Sequence, residues 1–260
     1  MQPYQKLEEI FAEYNKLTQI NAIISWDSAV MMPEAAINSR VEQSAYLASK
    51  THEILTSKQV VSLIDDIDEA ELDKWQAANL REIKRLYKHN NIIPAKLLAD
   101  FSKAGSECEY IWRQARAKND FNKLLPYLEK VTELSKEMAA IKAQAFNCKA
   151  YDALLDQYDP GLKAANIDML FAELESFLPE FIEQITNKST AVVDDKLSAA
   201  ITQQKQLVLM LVERLGFDFA AGGVDGSHHP FCGGYTGDVR ITSRYDEAKF
   251  TSGLMGLVHE

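Results

Sequence analysis

The sequence has few cysteines, no excess of positive charge and no long apolar run, and each absence excludes a class of protein. Its three cysteines (Cys108, Cys148 and Cys232) are far apart and form no C-x-x-C pair, which argues against a disulfide framework. A net charge of −10 argues against non-specific binding to nucleic acid or to anionic membranes. No stretch approaches the roughly 18 consecutive apolar residues of a membrane span, and the N-terminus lacks the apolar segment of a signal peptide. We therefore expect a reduced, cytoplasmic protein.

Several familiar catalytic motifs are also missing. The chain contains no G-x-x-x-x-G-K-[ST], no G-x-G-x-x-G and no G-x-S-x-G, which are the signatures of phosphate-binding loops, dinucleotide-binding folds and serine hydrolases. The glycine cluster over 222–226 is predicted to be a plain loop rather than a phosphate cradle, because no strand and helix are expected to frame it.

Most of the chain is predicted to be helical. Apolar residues recur at spacings of three and four, the period of a helix with one buried face. A hydrophobic content of 47% in 260 residues is enough for a substantial core. Asp68, Pro94 and Asp120 are predicted helix starts, and Gly216 a helix end. After a chain reversal predicted over 23–33, the expected antiparallel body contains about seven helices: 4–18, 33–56, 68–87, 94–118, 120 to beyond Cys148, 165–186 and 194–215.

The composition changes at Gly216, since most of the eleven glycines lie from there onward. From Asp238 to Tyr245, apolar and polar residues alternate with the period of two that is typical of a strand with one polar face. An apolar helix is predicted to begin at Asp246, and its Gly253 and Gly256 would let a neighbouring backbone come close. We therefore predict a mainly α fold with a small β element near the C-terminus. Residues 1–260 would form a single domain, with a helical body over 1–215 and a glycine-rich loop, strand and terminal helix over 216–260.

The sequence ends on His259-Glu260, and this dipeptide is the main candidate for catalysis. In zinc peptidases, H-E-x-x-H on a helix supplies a metal ligand from the first histidine and a general base from the glutamate. The dipeptide alone is a weak signal, because a polar helix end needs no function. The apolar turn before it and the polar strand face upstream favour the metal-site interpretation. The second histidine would lie past Glu260, so we expect the chain to be cut within its own active site.

The other histidines and the cysteine near this end have ordinary alternatives. His228 and His229 are adjacent, so they lack the i, i+4 spacing of a ligand pair on a helix, and a polar or substrate-facing role is favoured for them. A thiol–imidazole pair of Cys232 with His229 has only weak support from their spacing.

The polar face of the predicted strand carries Asp238, Arg240 and Thr242. These side chains could form a local ion pair and hydrogen-bond ladder. Alternatively, Arg240 could bind the terminal carboxylate of a peptide, because its planar fork binds both oxygens. The apolar stretch around Trp26, far upstream, is assigned to core packing rather than to a ligand.

Three motifs near the C-terminus resemble those of the carboxypeptidase Taq family of metallocarboxypeptidases. They are His229-Pro230-Phe231, the Asp-x-Arg-x-Thr set at 238–242, and the His259-Glu260 start of His-Glu-x-x-His. The resemblance extends upstream to Trp26-Asp27, Met32-Pro33 and Arg40, and to the mid-chain segments 151–158 and Pro160-Gly161. Ser28 stands where the family pattern leads us to expect glutamine. The resemblance covers the whole chain.

This resemblance implies a helical, zincin-like peptidase that removes C-terminal residues from peptides, uses Zn²⁺ or Co²⁺, and forms a homodimer. His259 would be a metal ligand, and Glu260 would be the general base. His229 and Arg240 would bind substrate. The residues that would shape the site are Pro230, Phe231, Asp238 and Thr242.

The resemblance also implies that these residues are the N-terminal portion of a longer enzyme. One ligand of three cannot complete a catalytic site, so we expect this polypeptide alone to be inactive and to hold no metal of its own. We also expect it to self-associate through apolar surface that the rest of the enzyme would cover. The alternative is a non-catalytic helical module for peptide binding or interaction. The peptidase prediction requires the terminal helix to pack beside the Pro230 turn and the Arg240 strand.

Overall fold

A computed structural model describes residues 2–188 and 198–260, which form ten α-helices and one three-stranded sheet. This confirms the predicted mainly helical fold with a small β element near the C-terminus. The helices are α1 (Pro3–Val30), α2 (Ile37–Leu55), α3 (Lys58–Asp66), α4 (Lys74–Asn91), α5 (Ala95–Lys118), α6 (Phe121–Phe146), α7 (Ala150–Leu155), α8 (Ala164–Lys188), α9 (Ile201–Arg214) and α10 (Phe250–His259). The strands are β1 (Gly222–Gly226), β2 (Cys232–Tyr235) and β3 (Asp238–Ser243).

The first helix is longer than its sequence pattern predicts. The predicted helix over 4–18 and chain reversal over 23–33 are wrong, because α1 continues to Val30. No glycine or proline interrupts its hydrogen bonds before Pro33, and a proline disfavours helical backbone in the residue that precedes it. The apolar run in this region therefore lies inside the helix.

Capping residues set the helix starts, and two of the three predicted starts are confirmed. Pro94 immediately precedes α5, and the side chain of Asp120 accepts a hydrogen bond at the start of α6. Asp68 instead caps a short 3-10 turn. The helix α4 begins after Asp73, whose carboxylate accepts hydrogen bonds from two first-turn N–H groups at 2.7 and 2.9 Å. Both aspartates act as caps, but only the second one precedes an α-helix.

The later helix boundaries differ from the predictions in smaller ways. The sixth helix ends before Cys148, and the short helices α3 and α7 were not predicted. The predicted start of the last long helix at Asp194 lies outside the described residues, and residues 198–200 are not helical. Gly216 follows α9 with a φ of +96°, which agrees with the predicted glycine stop.

Three apolar clusters hold these elements together. The first joins α1, α2, α3 and α4, and the second packs α5 on α6. Each fully buried aliphatic side chain contributes about 1.5–3 kcal/mol. The third cluster packs α9 and α10 against β3, and therefore positions the C-terminal motifs; its buried residues are Val208, Val212, Ile241 and Leu257.

The glycine-rich segment after α9 contains more strand than predicted. The sheet order is β1-β3-β2, with β1 parallel and β2 antiparallel to β3. The loop predicted over 222–226 is wrong, because these residues form β1 and pair from Gly222↔Val239 to Gly226↔Ser243. A strand made mostly of glycine has no side-chain alternation, so the period-two pattern cannot reveal it. The predicted strand over 238–245 corresponds to β3, which ends at Ser243.

Close packing of α10 on the end of β3 depends on Gly253. A Cβ atom at Gly253 would lie 2.7 Å from the carbonyl oxygen of Arg244, which is shorter than real contacts allow. A Cβ atom at Gly256 would lie 3.5 Å from Pro230 Cγ, an ordinary van der Waals distance. The predicted close backbone approach therefore occurs at Gly253.

Gly253→Ala is expected to destabilise the fold by about 1–3 kcal/mol, because either α10 or the Arg244 backbone must move. This loss outweighs the roughly 1 kcal/mol by which alanine is favoured over glycine inside a helix. Gly105→Ala in α5 is the matched control, since a Cβ atom there meets nothing within 4 Å, and it should stabilise the fold by about 0.5–1 kcal/mol. Urea denaturation measures both variants. Equal stabilities would contradict the close contact at Gly253.

Lys142 in α6 is a buried lysine, with only 4% of its surface exposed. Burial lowers the pKa of its ammonium group to about 8, and attraction to Asp156 acts in the opposite direction. The unfolded chain keeps the ordinary pKa, 10.5. Between these two values the unfolded state binds more protons than the folded state, so this lysine makes stability rise with pH across that window.

Lys142→Met is therefore expected to raise the free energy of unfolding at pH 7, where the buried charge is costly. Between the folded and unfolded lysine pKa values, the free energy of unfolding of the parent chain should rise by at most about 1.4 kcal/mol per pH unit, and the variant should lack this rise. Urea denaturation at intervals from pH 7 to pH 10 compares the two proteins. If the free energy of unfolding changed with pH in the same way in both proteins, burial would not be lowering the pKa of Lys142.

The long helix α8 carries an apolar face that the described residues leave exposed. None of its 25 residues is buried. An exposed apolar surface of this extent is typical of an interface. Neither α8 nor any other described helix is long and apolar enough to cross a membrane. The large apolar side chains of α8, each at least 41% exposed, are Met169, Leu170, Phe171, Leu174, Phe177, Leu178, Phe181, Ile182 and Ile185.

Candidate active site

The C-terminal motifs come together where the sheet meets α1 and α10. The guanidinium carbon of Arg240 lies 4.5 Å from the centre of the Trp26 ring near the end of α1. On the other side, Gly256 of α10 approaches Pro230, and α10 packs on α9 and β3. The predicted packing of the terminal helix beside the Pro230 turn and the Arg240 strand is therefore confirmed.

The central strand β3 separates an apolar face from a polar one. On the apolar face, Ile241 belongs to the cluster under α9 and α10, and the hydroxyl of Ser243 donates to Gly253 O at 2.7 Å. This packing follows from the alternation along the strand, because successive side chains point to opposite faces. The opposite face carries the three motif residues Asp238, Arg240 and Thr242.

Arg240 is held by Asp238 and by an aromatic ring. Its Nε donates to Asp238 Oδ1, and its Nη2 donates to Asp238 Oδ2 at 3.1 Å. This bidentate pair lowers the pKa of Asp238 and raises the pKa of Arg240, chiefly through the hydrogen bonds between them. In 2–188 and 198–260, two of the five N–H donors of the guanidinium have a partner, so three are left for a ligand. The predicted ion pair is present, and the remaining donors can still bind a carboxylate.

Trp26 packs against the candidate site rather than in the helical core. Its indole Nε1 is buried without a hydrogen-bond partner among the described residues, while the ring faces Arg240. The neighbouring Asp27 pairs with Arg40 of α2 at 2.5 Å, which fixes the end of α1. Sequence reasoning missed this role, and its one signal was the presence of Trp26-Asp27 in the upstream motif.

Thr242 holds the Pro230–Phe231 turn against β3. It is fully buried, and its Oγ1 accepts a hydrogen bond from Phe231 N at 3.0 Å. The hydroxyl of Ser227 lies 2.7 Å from the same oxygen, and Thr242 N donates to Phe231 O at 3.0 Å. A buried side chain with these partners positions the turn and has no surface for a substrate.

His229 is exposed and has a defined tautomer. Its Nδ1 lies 2.6 Å from Pro230 O, and because a carbonyl oxygen only accepts, Nδ1 must carry the proton. In the neutral ring, Nε2 is therefore an available acceptor. His228 contributes its carbonyl oxygen, which accepts from Arg116 of α5 at 3.2 Å. Within the described residues no hydrogen bond joins His229 to Cys232, so the weakly supported thiol–imidazole pair is not formed.

His259 is the last residue of α10, and Glu260 follows it with its N–H donating to Gly256 O at 3.3 Å. Both are therefore carried by the helix that packs on the Pro230 turn. Across 2–188 and 198–260, no group of three histidine, cysteine or acidic side chains is arranged to hold a metal ion. The described residues by themselves do not form a complete metal site. They supply one potential ligand, His259.

The chain is similar to known carboxypeptidases over nearly its whole length. It is 32% identical over 271 residues to thermostable carboxypeptidase 1 of Thermus thermophilus, covering 99% of this chain and 53% of that protein. It is 32% identical over 246 residues to carboxypeptidase 1 of Bacillus subtilis, covering 92% of this chain and 48% of that protein. The structure of Trypanosoma cruzi metallocarboxypeptidase 1 matches with a TM-score of 0.85 at 31% identity, covering 99% of this chain and 53% of that one. This chain thus spans about half the length of these relatives.

A family model confirms the resemblance drawn from the motifs. The model for the carboxypeptidase Taq (M32) metallopeptidases matches residues 6–260. The matched range includes the Trp26 end of α1, the Pro230 turn, the polar face of β3 and the terminal His259-Glu260. The chain belongs to the carboxypeptidase Taq (M32) family of metallopeptidases.

Proposed function

We propose that these residues are the N-terminal portion of a metallocarboxypeptidase, which hydrolyses C-terminal residues from peptides. The observation that carries the proposal is the placement of Arg240. Its guanidinium is fixed by Asp238 and Trp26, and among the described residues three of its donors have no partner. It lies on the strand that packs against the helix bearing His259 and Glu260. The guanidinium lies on the polar face of β3, and α10 packs on the opposite face of the same strand. A fixed cation held on that strand suits the terminal carboxylate of a peptide. The alternative, a non-catalytic helical module, has no support from the relatives, which are named as carboxypeptidases.

The proposed roles follow from these positions. Glu260 is the general base, which takes a proton from the attacking water and delivers it to the leaving amine. His259 is a metal ligand. Arg240 binds the substrate carboxylate, and His229 offers its free Nε2 to the substrate. The side chains that support these groups are Pro230, Phe231, Asp238 and Thr242.

We also propose the wider properties that the family resemblance implies. The metal is Zn²⁺ or Co²⁺, and its remaining ligands come from outside the described residues. Residues 1–260 act as one unit of a larger peptidase, with the helical body over 1–215 and the site elements over 216–260. The exposed apolar face of α8 supports a homodimer or other self-association. Three free cysteines support a cytoplasmic location.

The reading frame beyond Glu260 tests the proposal most directly. Two residues followed by a histidine would complete His-Glu-x-x-His, and a glutamate ligand should lie further along. A stop codon immediately after Glu260 would contradict the enzyme and favour the non-catalytic module.

A polypeptide of these 260 residues is expected to release no amino acid from an N-terminally blocked dipeptide in the presence of Co²⁺. The physical reason is that the described residues supply too few ligands for a catalytic metal. Carboxypeptidase 1 of Bacillus subtilis, assayed in parallel, is the positive control for the substrate and the buffer. Steady release of the C-terminal residue by the 260-residue polypeptide would overturn this expectation.

A further inference from the structure

A basic stripe runs along one face of α4, at the other end of the helical body from the candidate active site. Arg81, Lys84, Arg85 and Lys88 follow i, i+3, i+4 and i+7 spacing, which places them on the same side of the helix. They line a cavity of about 480 Å³ whose opposite wall belongs to residues 146–163. The whole chain has a net charge of −10, so this local concentration of positive charge runs against its composition.

The two carboxylates that line this cavity are already engaged by the protein. Asp156 lies 2.6 Å from the Nε2 of His89 through one oxygen and accepts from Gly161 N at 2.8 Å through the other. Asp152 accepts from Ala164 N at 2.8 Å at the start of α8. Their oxygens therefore hold the cavity wall in place, and within the described residues neither carboxylate forms an ion pair with a lysine or arginine of the cavity.

Three cations at the cavity have no anionic partner in the part of the chain that the structure describes. Arg81, Lys88 and Lys163 make no ion pair there, whereas the other two cations of the stripe each pair with a glutamate. The ammonium group of Lys88 lies 4.7 Å from the centre of the Phe146 ring, which holds it at the cavity wall. Three unpaired positive charges around one concave space attract an anion.

Buried polar groups lie behind this rim. His89, which lines the cavity, is 3% exposed, and its Nδ1 has no hydrogen-bond partner in 2–188 or 198–260. Burial of the ring lowers the pKa of His89, the hydrogen bond to Asp156 opposes this, and the positive charge of the buried Lys142 lowers the pKa further. A buried polar atom without a partner is costly. Because the Asp156 carboxylate only accepts, Nε2 of the neutral ring carries the proton, and Nδ1 is an acceptor that only a donor on a ligand would satisfy.

The cavity also has apolar walls. Phe146, whose ring meets His89 edge-on at 4.7 Å, and the half-buried Leu162 contribute hydrocarbon surface. Ligand sites combine apolar walls with a few convergent polar groups. The preferred ligand is therefore a small molecule with several anionic oxygens and a short apolar portion.

This cavity is separate from the candidate active site. The helix α2 connects the two: Arg40, near its start, pairs with Asp27 beside Trp26, and His52, near its end, lies 3.1 Å from Asn90 O beside the cavity. Twelve helical residues span about 18 Å. A ligand in the cavity therefore cannot touch Arg240.

We propose that the cavity between α4 and residues 146–163 is a binding site for a small multivalent anion, a phosphorylated or polycarboxylic molecule. Arg81, Lys88 and Lys163 bind its charged oxygens, and Nδ1 of His89 is a buried acceptor for a hydroxyl group of the same molecule. The site does not depend on the proposed peptidase activity, since none of these residues belongs to the candidate active site.

Calorimetric titration of the chain with inorganic pyrophosphate, and separately with citrate, tests the proposal. Saturable binding is expected for at least one probe. The double variant Lys88→Gln/Lys163→Gln should weaken it by about tenfold or more, because each charge-assisted contact is strong but partly screened by solvent. The matched control is Lys16→Gln/Lys58→Gln, which removes the same charge from exposed positions on α1 and α3 and should change affinity by less than about twofold.

The two probes identify the ligand class. Tighter binding of pyrophosphate indicates a phosphorylated ligand, and tighter binding of citrate indicates a polycarboxylate; either result supports the site if it depends on Lys88 and Lys163. Both mutated lysines are exposed, so the double variant should fold, and its far-ultraviolet circular dichroism checks this. The proposal is overturned if neither probe saturates with a dissociation constant below about 1 mM, or if both double variants bind equally.

Discussion

Replacing Glu260 with glutamine should lower kcat for the release of C-terminal residues by about 10²–10⁴-fold, the usual contribution of a general base. The enzyme to be tested is the protein made from the complete reading frame that contains this chain. The amide is close in size to the carboxylate but cannot take the proton from the attacking water. KM should change little, because Arg240 and His229, and not Glu260, are the residues proposed to bind the substrate. Initial rates with a blocked dipeptide at saturating concentration measure the effect.

Glu247→Gln is the matched control for this experiment. Glu247 lies just before α10 and is exposed. Its replacement removes the same charge as Glu260→Gln, at a position outside the candidate site. Its kcat should stay within about twofold of the parent value, as expected for a surface change away from the chemistry. A Glu260→Gln enzyme with unchanged kcat would remove Glu260 from the mechanism, and a matching loss in Glu247→Gln would point to a general charge effect instead.

Gly234→Ala is expected to destabilise the fold by about 3 kcal/mol or more, because two costs combine there. Gly234 has a φ of +79°, in the left-handed region where a side chain is strained. A Cβ atom would also lie 2.0 Å from the carbonyl oxygen of Asp238 and 3.2 Å from the backbone nitrogen of Arg240. The variant must separate β2 from β3 at the point where Arg240 is held, so the strand pairing should be lost.

Gly237→Ala separates the two costs. Gly237 also has a positive φ, +98°, but a Cβ atom there meets nothing within 4 Å. The Gly237→Ala variant should therefore lose about 1–2 kcal/mol of stability, from backbone strain alone. Urea denaturation followed by circular dichroism compares the variants, and if Gly234→Ala does not fold at all, the folded fraction still ranks them. Equal losses would show that the contact with the Asp238 carbonyl contributes nothing.

The stability of this small sheet and the proposed chemistry are linked through one strand. The apolar face of β3 is covered by α9 and α10, and its polar face carries Arg240. A change that shifts β3 therefore moves the guanidinium and the His259-Glu260 helix together. For this reason Gly253→Ala should also lower activity in the longer enzyme, whereas Gly105→Ala should not.

Local chemistry was sufficient to predict part of the helical body. Apolar residues at spacings of three and four, together with starts at Pro94 and Asp120, give α5 and α6 nearly as the structure has them, because these signals act within one or two turns. The period of two over 238–245 likewise gives β3, which ends at Ser243, and its polar face. The same reasoning was wrong for β1, where glycine leaves no side chains to alternate, and for the chain reversal within α1.

The sequence by itself determined the family, through motifs that keep their residue types and spacing, and it named His229, Arg240, His259 and Glu260 as candidates. Only the tertiary structure decided which residues meet. It places Trp26 of the first helix against Arg240 of the last strand, buries Thr242 beneath the Pro230 turn, and gathers the α4 cations around a cavity closed by residues 146–163. Such contacts join positions far apart in the chain, and they are fixed by how whole helices and strands pack, which no local pattern of residues specifies.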